Sequence, residues 1–438
     1  MSTSNTIVVN TVVQDRAVAV DSFGTPLILA YHENFVGVRS YGVSVAGLTD
    51  LIADGFSTTH DVYRKVQAML AQDVHPSTVK VATRAAANAQ EYTFTPVTTT
   101  VGYVYAFTVD CDGVDTEIEY TVQTSDTVAL IATALQALLD AIAGVTATDN
   151  TGSVTIEPDD PEERIYLRDL PSSTIMTVAD GSADAGIAAD FAAALAADPD
   201  FYGVVADTTS AAEIAALAVA VAAAGKLGGA DSVDSDNYTG DDGVAYTVAQ
   251  TSNYRFYVHP TYDSKGQFAA GIMARQFAQV PGSSTWAHKL VSGAVADSFS
   301  QSELDNARDN GGFVYFYESG ISHTLDGKSC GGRYLDTTRG IDWLNSVIHA
   351  NMLTVMISHE KINYTDSGAA LFETSLRQAL ASAEAVGLLA SGWTVTRGAV
   401  AAQSAADKAA RRFPALSWDA VLAGAIHEVN PVSGTVTL

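Results

Sequence analysis

The chain has 438 residues, 47% hydrophobic and 17% charged, which is room for two to four domains at about 150 residues each. Fifty acidic residues against 23 basic ones leave a net charge of −27; phosphate recognition needs clustered Lys and Arg, so nucleic-acid binding by the surface as a whole is excluded. Cys111 and Cys330 have no CxxC spacing and no His cluster beside them, which excludes a disulfide scaffold.

Residues 1–20 read as an extended arm. Ile7, Val8, Val9, Val12 and Val13 are β-branched or aliphatic and flank Asn10-Thr11. No turn pairs them with a neighbour in sequence, so their backbone groups invite another chain. Met1 to Asn10 has neither a basic nor an apolar leader segment, and no signal peptide is expected.

Residues 21–88 read as α/β: a buried strand over Leu27 to Ala30, a short helix from Thr49, a helix from His60 to Gln72 with Val62, Val66, Met69 and Leu70 on one face, and a strand from Val79 to Ala82. Residues 89–178 change character. Tyr103 to Val109 and Thr116 to Val122 alternate with a period of two around Asp112-Gly113, a hairpin signal. Thr127 ends a capping sequence for a helix bearing Ile131, Leu135, Leu138 and Ile142. A second hairpin turns at Asn150-Thr151-Gly152, giving a ββαββ unit inserted into the α/β pattern.

Residues 179–345 return to α/β, with helices over Ile187 to Ala196, Ala211 to Ala224 (capped by Ser210), Gly266 to Gln279 and Glu303 to Asn310. Strands are expected over Phe201 to Ala206, Arg255 to His259 and Phe313 to Tyr317. The segment 226–245, rich in Gly, Asp and Ser, reads as a mobile surface loop. The longest apolar stretch, Ile214 to Ala224, is too short to cross a bilayer. In the last part, Val347 to Met356 and Ala369 to Leu389 read as helices, and Trp393 to Arg397 and Ala425 to Val429 as strands. Val432, Thr435, Val436 and Leu438 belong to a β-rich tail after Pro431.

Chemistry finds little support. Gly225-Lys226 has Ala220 and Leu227 where a phosphate loop needs Gly and Ser or Thr, so it reads as a helix C-cap. Gly42-Val43-Ser44-Val45-Ala46 misses the last Gly of a nucleophile elbow. His349 and His359 are ten apart and fall on different faces of a helix. Asp231, Asp234, Asp236, Asp241 and Asp242 crowd one segment without the EF-hand order, so a solvated acidic loop is the simpler reading than a calcium site. The four tryptophans, Trp286, Trp343, Trp393 and Trp418, serve either as core or as interface anchors.

An ordered series of short motifs resembles the contractile tail sheath family of myophages, R-type pyocins and type VI secretion systems. It runs through Phe23-Gly24-Thr25-Pro26-Leu27-Ile28, Trp286 to Leu290 with Val291-Ser292-Gly293, Phe299-Ser300 with Glu303-Leu304, and Asp309 to Gly312 with Phe313-Val314-Tyr315. It continues through Asp326-Gly327, Gly331-Gly332, Tyr334, Asp336, Arg339-Gly340 and Asp342-Trp343-Leu344. The likeness covers 20–88 and roughly 180–438. No motif for an unfolding ATPase is seen, so a one-chain phage-type sheath fits better than a two-chain one.

The resemblance implies an α/β, multidomain (α+β) chain. Its parts are a linking arm at 1–20, an α/β sheath core at 21–88 and 179–345, an inserted outer domain at 89–178, a tube-proximal domain at 346–425 and a linking strand at 426–438. It further implies stacked rings around a tail tube that contract to drive the tube through a host envelope. The implied partners are neighbouring subunits by strand exchange, the tail tube protein, and baseplate and terminator proteins. Cofactor, small-molecule substrate and membrane insertion are not implied, and the place is the virion, assembled in the host cytoplasm. The 369–389 helix, with Glu373, Arg377 and Gln378, would face the tube. A non-contractile tail, baseplate or surface-assembly protein is the alternative, and an enzyme with a hidden site is the third.

Overall fold

The computed structural model describes residues 23–84, 90–159, 165–180, 186–240, 243–263, 267–413 and 415–427. They fall into two compact units, one of residues 341–423 and one of residues 23–340 with 424–427.

The large unit opens with β1 (Pro26–Tyr31), β2 (Val38–Gly42), α1 (Val45–Ala53), α2 (Asp61–Leu70) and β3 (Thr78–Arg84). Every residue of β1 but the last is buried, as expected of a parallel strand covered on both faces. Ser44 accepts from the Gly47 amide at 3.1 Å and starts α1 at Val45, four residues earlier than the sequence predicts. The edge strand β2 is missed by the sequence because Arg39 and Ser40 are exposed and break any apolar run.

Next come β4 (Tyr92–Pro96), β5 (Val104–Cys111), β6 (Val114–Thr121), α3 (Val128–Leu139), β7 (Val145–Asp149), β8 (Val154–Pro158), β9 (Ile165–Arg168) and β10 (Met176–Asp180). This is more than a ββαββ unit. Strands β4, β9 and β10 build two sheets, ordered β10-β4-β8-β7 and β6-β5-β9, over one hydrophobic cluster that includes Tyr92, Phe94, Phe107 and Leu135. These three short strands lie far apart in sequence and leave no local turn signal.

The α/β pattern resumes with α4 (Ile187–Ala197), β11 (Gly203–Ala206), α5 (Ala211–Ala223), β12 (Leu227–Ser232), α6 (Asp236–Thr239), α7 (Val244–Gln250), β13 (Phe256–Pro260) and α8 (Phe268–Phe277). The central sheet is ordered β13-β12-β11-β1-β3-β2, parallel except for β2. Helices α4, α5 and α7 pack on one side of it, and α2 and α8 on the other. Ser210 stands at the N-cap of α5, but its hydroxyl does not cap; it is buried without a partner.

The segment 226–245 is not a surface loop. Residues 227–232 form an internal strand, and Val233, Asn237 and Tyr238 are buried. Gly228 and Gly229 are strand residues because a Cβ on either would lie 2.1–2.5 Å from the rings of Phe256 or Tyr257. The glycines answer close approach rather than a turn. Asp241 and Asp242 lie outside the described residues.

The unit ends with α9 (Gln301–Asp309), the hairpin β14 (Tyr315–Glu318) and β15 (Ile321–Thr324), and the first turns of α10 (Leu335–Ile357). A capping box between Ser300 and Glu303 starts α9. Several of the motifs quoted above are packing positions. Gly327 has φ +68 and sits 2.7 Å, at its would-be Cβ, from the Ala287 amide nitrogen. Arg339 is buried and donates to the carbonyls of Phe23, Gln276, Phe277 and Gln279, tying the first described residue to α8.

The small unit holds the rest of α10, α11 (Asp366–Ala385), β16 (Thr394–Arg397), α12 (Ala405–Ala409) and β17 (Leu416–Asp419). Its core is Leu344, Leu376, Leu380, Ala383, Leu388, Leu389 and Val395. The partner of β16 is β17, not residues 425–429: 425–427 form no strand, and 428–429 lie outside the described residues.

Candidate functional site

In an open parallel sheet, ligands bind beyond the carboxyl ends of the strands where strand order reverses. Here that point lies between β1 and β11. A cavity of about 310 Å³ opens beside it, lined by Tyr31, His32, His60, Asp61 and Asp207 among others. Several of its ionisable groups hold the structure together. Asp207 accepts from the Tyr31 amide at 2.7 Å and from Arg84 at 2.9 Å. Asp61 accepts from Gln267 and Tyr166 and pairs with Lys65 at 3.0 Å. His60 accepts from the Val62 amide as the N-cap of α2. Burial pulls His32 down to about 4, so it is neutral at pH 7, and its Nε2 faces Thr83 at 3.3 Å.

Behind it, Arg84 reaches Asp207 and Glu213, with Asp190 3.7 Å away, and all four are buried. Burial, the largest influence on Glu213, raises its carboxyl above the usual range. A second pair, His259 and Asp297 at 3.6 Å, is equally enclosed. The His259 Nδ1 is taken by the Phe313 carbonyl, and Asp297 accepts from Tyr262 and Thr261.

The other chemical candidates resolve the same way. Ser44 is a helix cap, and Gly225, with φ +68, follows the end of α5 while Lys226 donates to the Pro199 and Phe201 carbonyls. Asp231 is not part of an open acidic loop but the fifth residue of β12, accepting from the Ala269 amide, and burial pushes its carboxyl up to about 7. Among the described residues no group of three or more His, Cys, Asp or Glu is placed to hold a metal, and no helix is long and apolar enough to cross a membrane. Both cysteines are buried and unlinked.

For assembly, the arm residues Ile7, Val8, Val9, Val12, Val13, Val432, Thr435, Val436 and Leu438 all lie outside the described residues. The helix residues are placed. Glu373 accepts from Arg377 at 2.9 Å and from Arg397 at 2.9 Å, and Arg397 also meets Asp366 at 3.0 Å. These hydrogen bonds hold the Glu373 carboxyl below its ordinary range. Arg377 also donates to the Val395 carbonyl. Glu373 and Arg377 therefore brace α11 against β16, whereas Gln378 is exposed one position further on.

What the sequence did not show is the ladder they brace. Strands β16 and β17 form a sheet of only two strands among the described residues. Val395 faces the core, while Thr394, Thr396, Ser417, Trp418 and Asp419 are exposed, Trp418 by 37%. Two isolated strands are marginal in water, and an outer strand edge can accept a further strand; on the outer edge of β16 the Val395 carbonyl is already taken by Arg377. Charge is also divided unevenly. Residues 341–423 hold six Lys and Arg against seven Asp and Glu, whereas the rest of the chain holds seventeen against forty-three.

No protein-family profile and no curated protein matches this sequence. Solved structures do. A chain of the anti-feeding prophage baseplate matches with TM-score 0.53 and 12% identity over 100% of both chains. The contracted helical sheath of the same particle matches with TM-score 0.53 and 11% identity, covering 100% of this chain and 99% of that one. The contracted PVC sheath complex of an extracellular contractile injection system gives 0.52 and 11%, covering 100% and 98%. The chain has the fold of contractile-sheath subunits. The matches run along the length of the chain.

Proposed function

We propose that the chain is the subunit of a contractile sheath, polymerising as rings stacked around an inner tube and shortening to drive that tube through an envelope. The observation that carries this reading is the end-to-end likeness to chains of contractile assemblies. In this reading the role is mechanical, with no chemistry, cofactor or small-molecule substrate. Self-association, tube, baseplate and terminator are its partners. The sequence motifs favour a phage tail, and the structural relatives include extracellular injection particles, so the sheath is the common part of the reading.

The open ladder gives the arms a destination. Residues 7–13 and 432–438 of neighbouring copies would add strands beside β16 and β17, satisfying their own backbone groups only in the polymer. The insertion at 89–178 would face outward, and α11 with Gln378 would face the tube. Negative-stain electron microscopy of the full chain beside a version lacking residues 1–20 tests the proposal. Hollow cylinders or stacked rings from the first and small particles from the second are expected. Small particles from both, with and without tube protein, would refute it.

A further inference from the structure

The small unit carries a pocket of about 290 Å³ beside the ladder. Arg397, the last residue of β16, and Val400 on the pocket wall share Asp366, and Arg411 and Phe413 on the same wall lead into β17. The pocket therefore adjoins the Arg397–Leu416 end of the two strands. Its apolar lining includes Met356, Ile362, Phe372 and Phe413, and Met356 is exposed by 56%. Lys361 and Arg411 stand at the rim, and neither makes an ion pair among the described residues, whereas the adjacent Arg412 is held by Asp407 at 2.9 Å. Glu360 is the acidic residue in the lining.

An apolar floor with two unmatched cations fits an aliphatic segment that bears a carboxylate. The chain supplies carboxylates chiefly outside this unit, so charge complementarity favours another part of the same protein. One terminal segment has the right composition. Residues 428–438 contain one acidic residue, Glu428, no basic residue, and Val429, Pro431 and Val432 close behind it.

We infer that the pocket takes residues 428–431 of a second copy, with Glu428 between Lys361 and Arg411 and with Val429 and Pro431 on the apolar floor. This rests on the strand-donation reading above and extends it. A strand of 432–438 laid antiparallel to β16 enters the ladder at its Arg397–Leu416 end, so the residues before it run off that end onto the pocket. Four extended residues span about 13 Å, a reach suited to a neighbouring site.

The test uses full-length chains. Copies carrying Glu428→Cys are mixed with copies carrying Arg411→Cys under oxidising conditions; the native cysteines are buried and do not compete. A disulfide between copies is expected as polymers form. In parallel, Lys361→Glu with Arg411→Glu should raise the concentration needed for assembly by about two- to fivefold per lost pair, with an unchanged Tm, and Glu428→Arg in the same chain should restore it. Polymers at the wild-type concentration without an inter-copy disulfide would overturn the pocket assignment while leaving strand donation standing. A disulfide formed only within one chain carrying both cysteines would overturn the second-copy assignment. Failure of the unmodified chain to polymerise, even with tube protein, would remove the strand-donation reading and this inference with it.

Discussion

Arg84 is the place where a single substitution tests the logic of the large unit. Its guanidinium is 1% exposed and reaches Asp207 and Glu213, with Asp190 near its Nε. Arg84→Met keeps most of the volume and removes the charge, leaving buried carboxylates uncompensated. Breaking a buried pair from one side costs about 3–5 kcal/mol, about a fifth or more of the about 5–15 kcal/mol that holds a typical domain. Urea unfolding would read it through Trp286, the tryptophan of this unit, in a background with Trp343, Trp393 and Trp418 replaced by Phe. With a slope of about 3 kcal/mol/M, the midpoint should fall by about 1 M or more.

The pH dependence has a definite sign. Without the guanidinium, the folded-state pKa values of the orphaned carboxyls rise above their unfolded values. The penalty is then full at neutral pH and shrinks as pH falls through the raised values. Adding Glu213→Gln and Asp207→Asn to Arg84→Met should recover most of the loss. A cost below about 1 kcal/mol, or a cost independent of pH between 7 and 5, would refute the argument that the cluster needs its cation.

Three further outcomes are expected. His32 is held near 4 when folded and returns to about 6.5 when unfolded, so its contribution is complete above pH 6.5 and is lost as pH falls toward 4; His32→Phe should remove about 2 kcal/mol of the destabilisation seen by denaturant titration between pH 6.5 and 5. Trp418→Ala should leave the thermal midpoint of the large unit unchanged and reduce the polymer fraction in sedimentation, because the side chain is half-exposed on a strand proposed to be covered only in the polymer. Replacing residues 90–180 with a short Gly-Ser linker should spare polymerisation by electron microscopy. It should lower the thermal midpoint, since Tyr166, which meets Asp61 and stacks under Arg64, would be lost.

Much of the core was legible because its signals are local. The helix from residue 61 shows its apolar face at helical spacing, and Val62, Val66 and Met69 are buried as that spacing requires. Asp112-Gly113 marks the β5–β6 hairpin, and both residues have positive φ. The failures share a different cause. Strand β12 carries a loop-like composition because Gly228 and Gly229 answer rings of β13, a contact no local pattern reveals. Strand β17 gives no local signal, since its partner lies nineteen or more positions away, Arg397 opposite Leu416. The arm residues lie outside the described residues, and nothing in their sequence identifies the ladder they are proposed to join.

The uneven division of charge bears on how such a protein behaves before it assembles. One folding unit carries nearly all the net negative charge and the other is close to balanced. Counter-ions in solution therefore gather around one part of the molecule, and added salt screens that part most, over about 10 Å at 0.1 M. In the proposed assembly, repulsion between dissolved copies would act mainly through the acidic unit. If the chain assembles as proposed, ionic strength would act as a graded control on the store of free subunits.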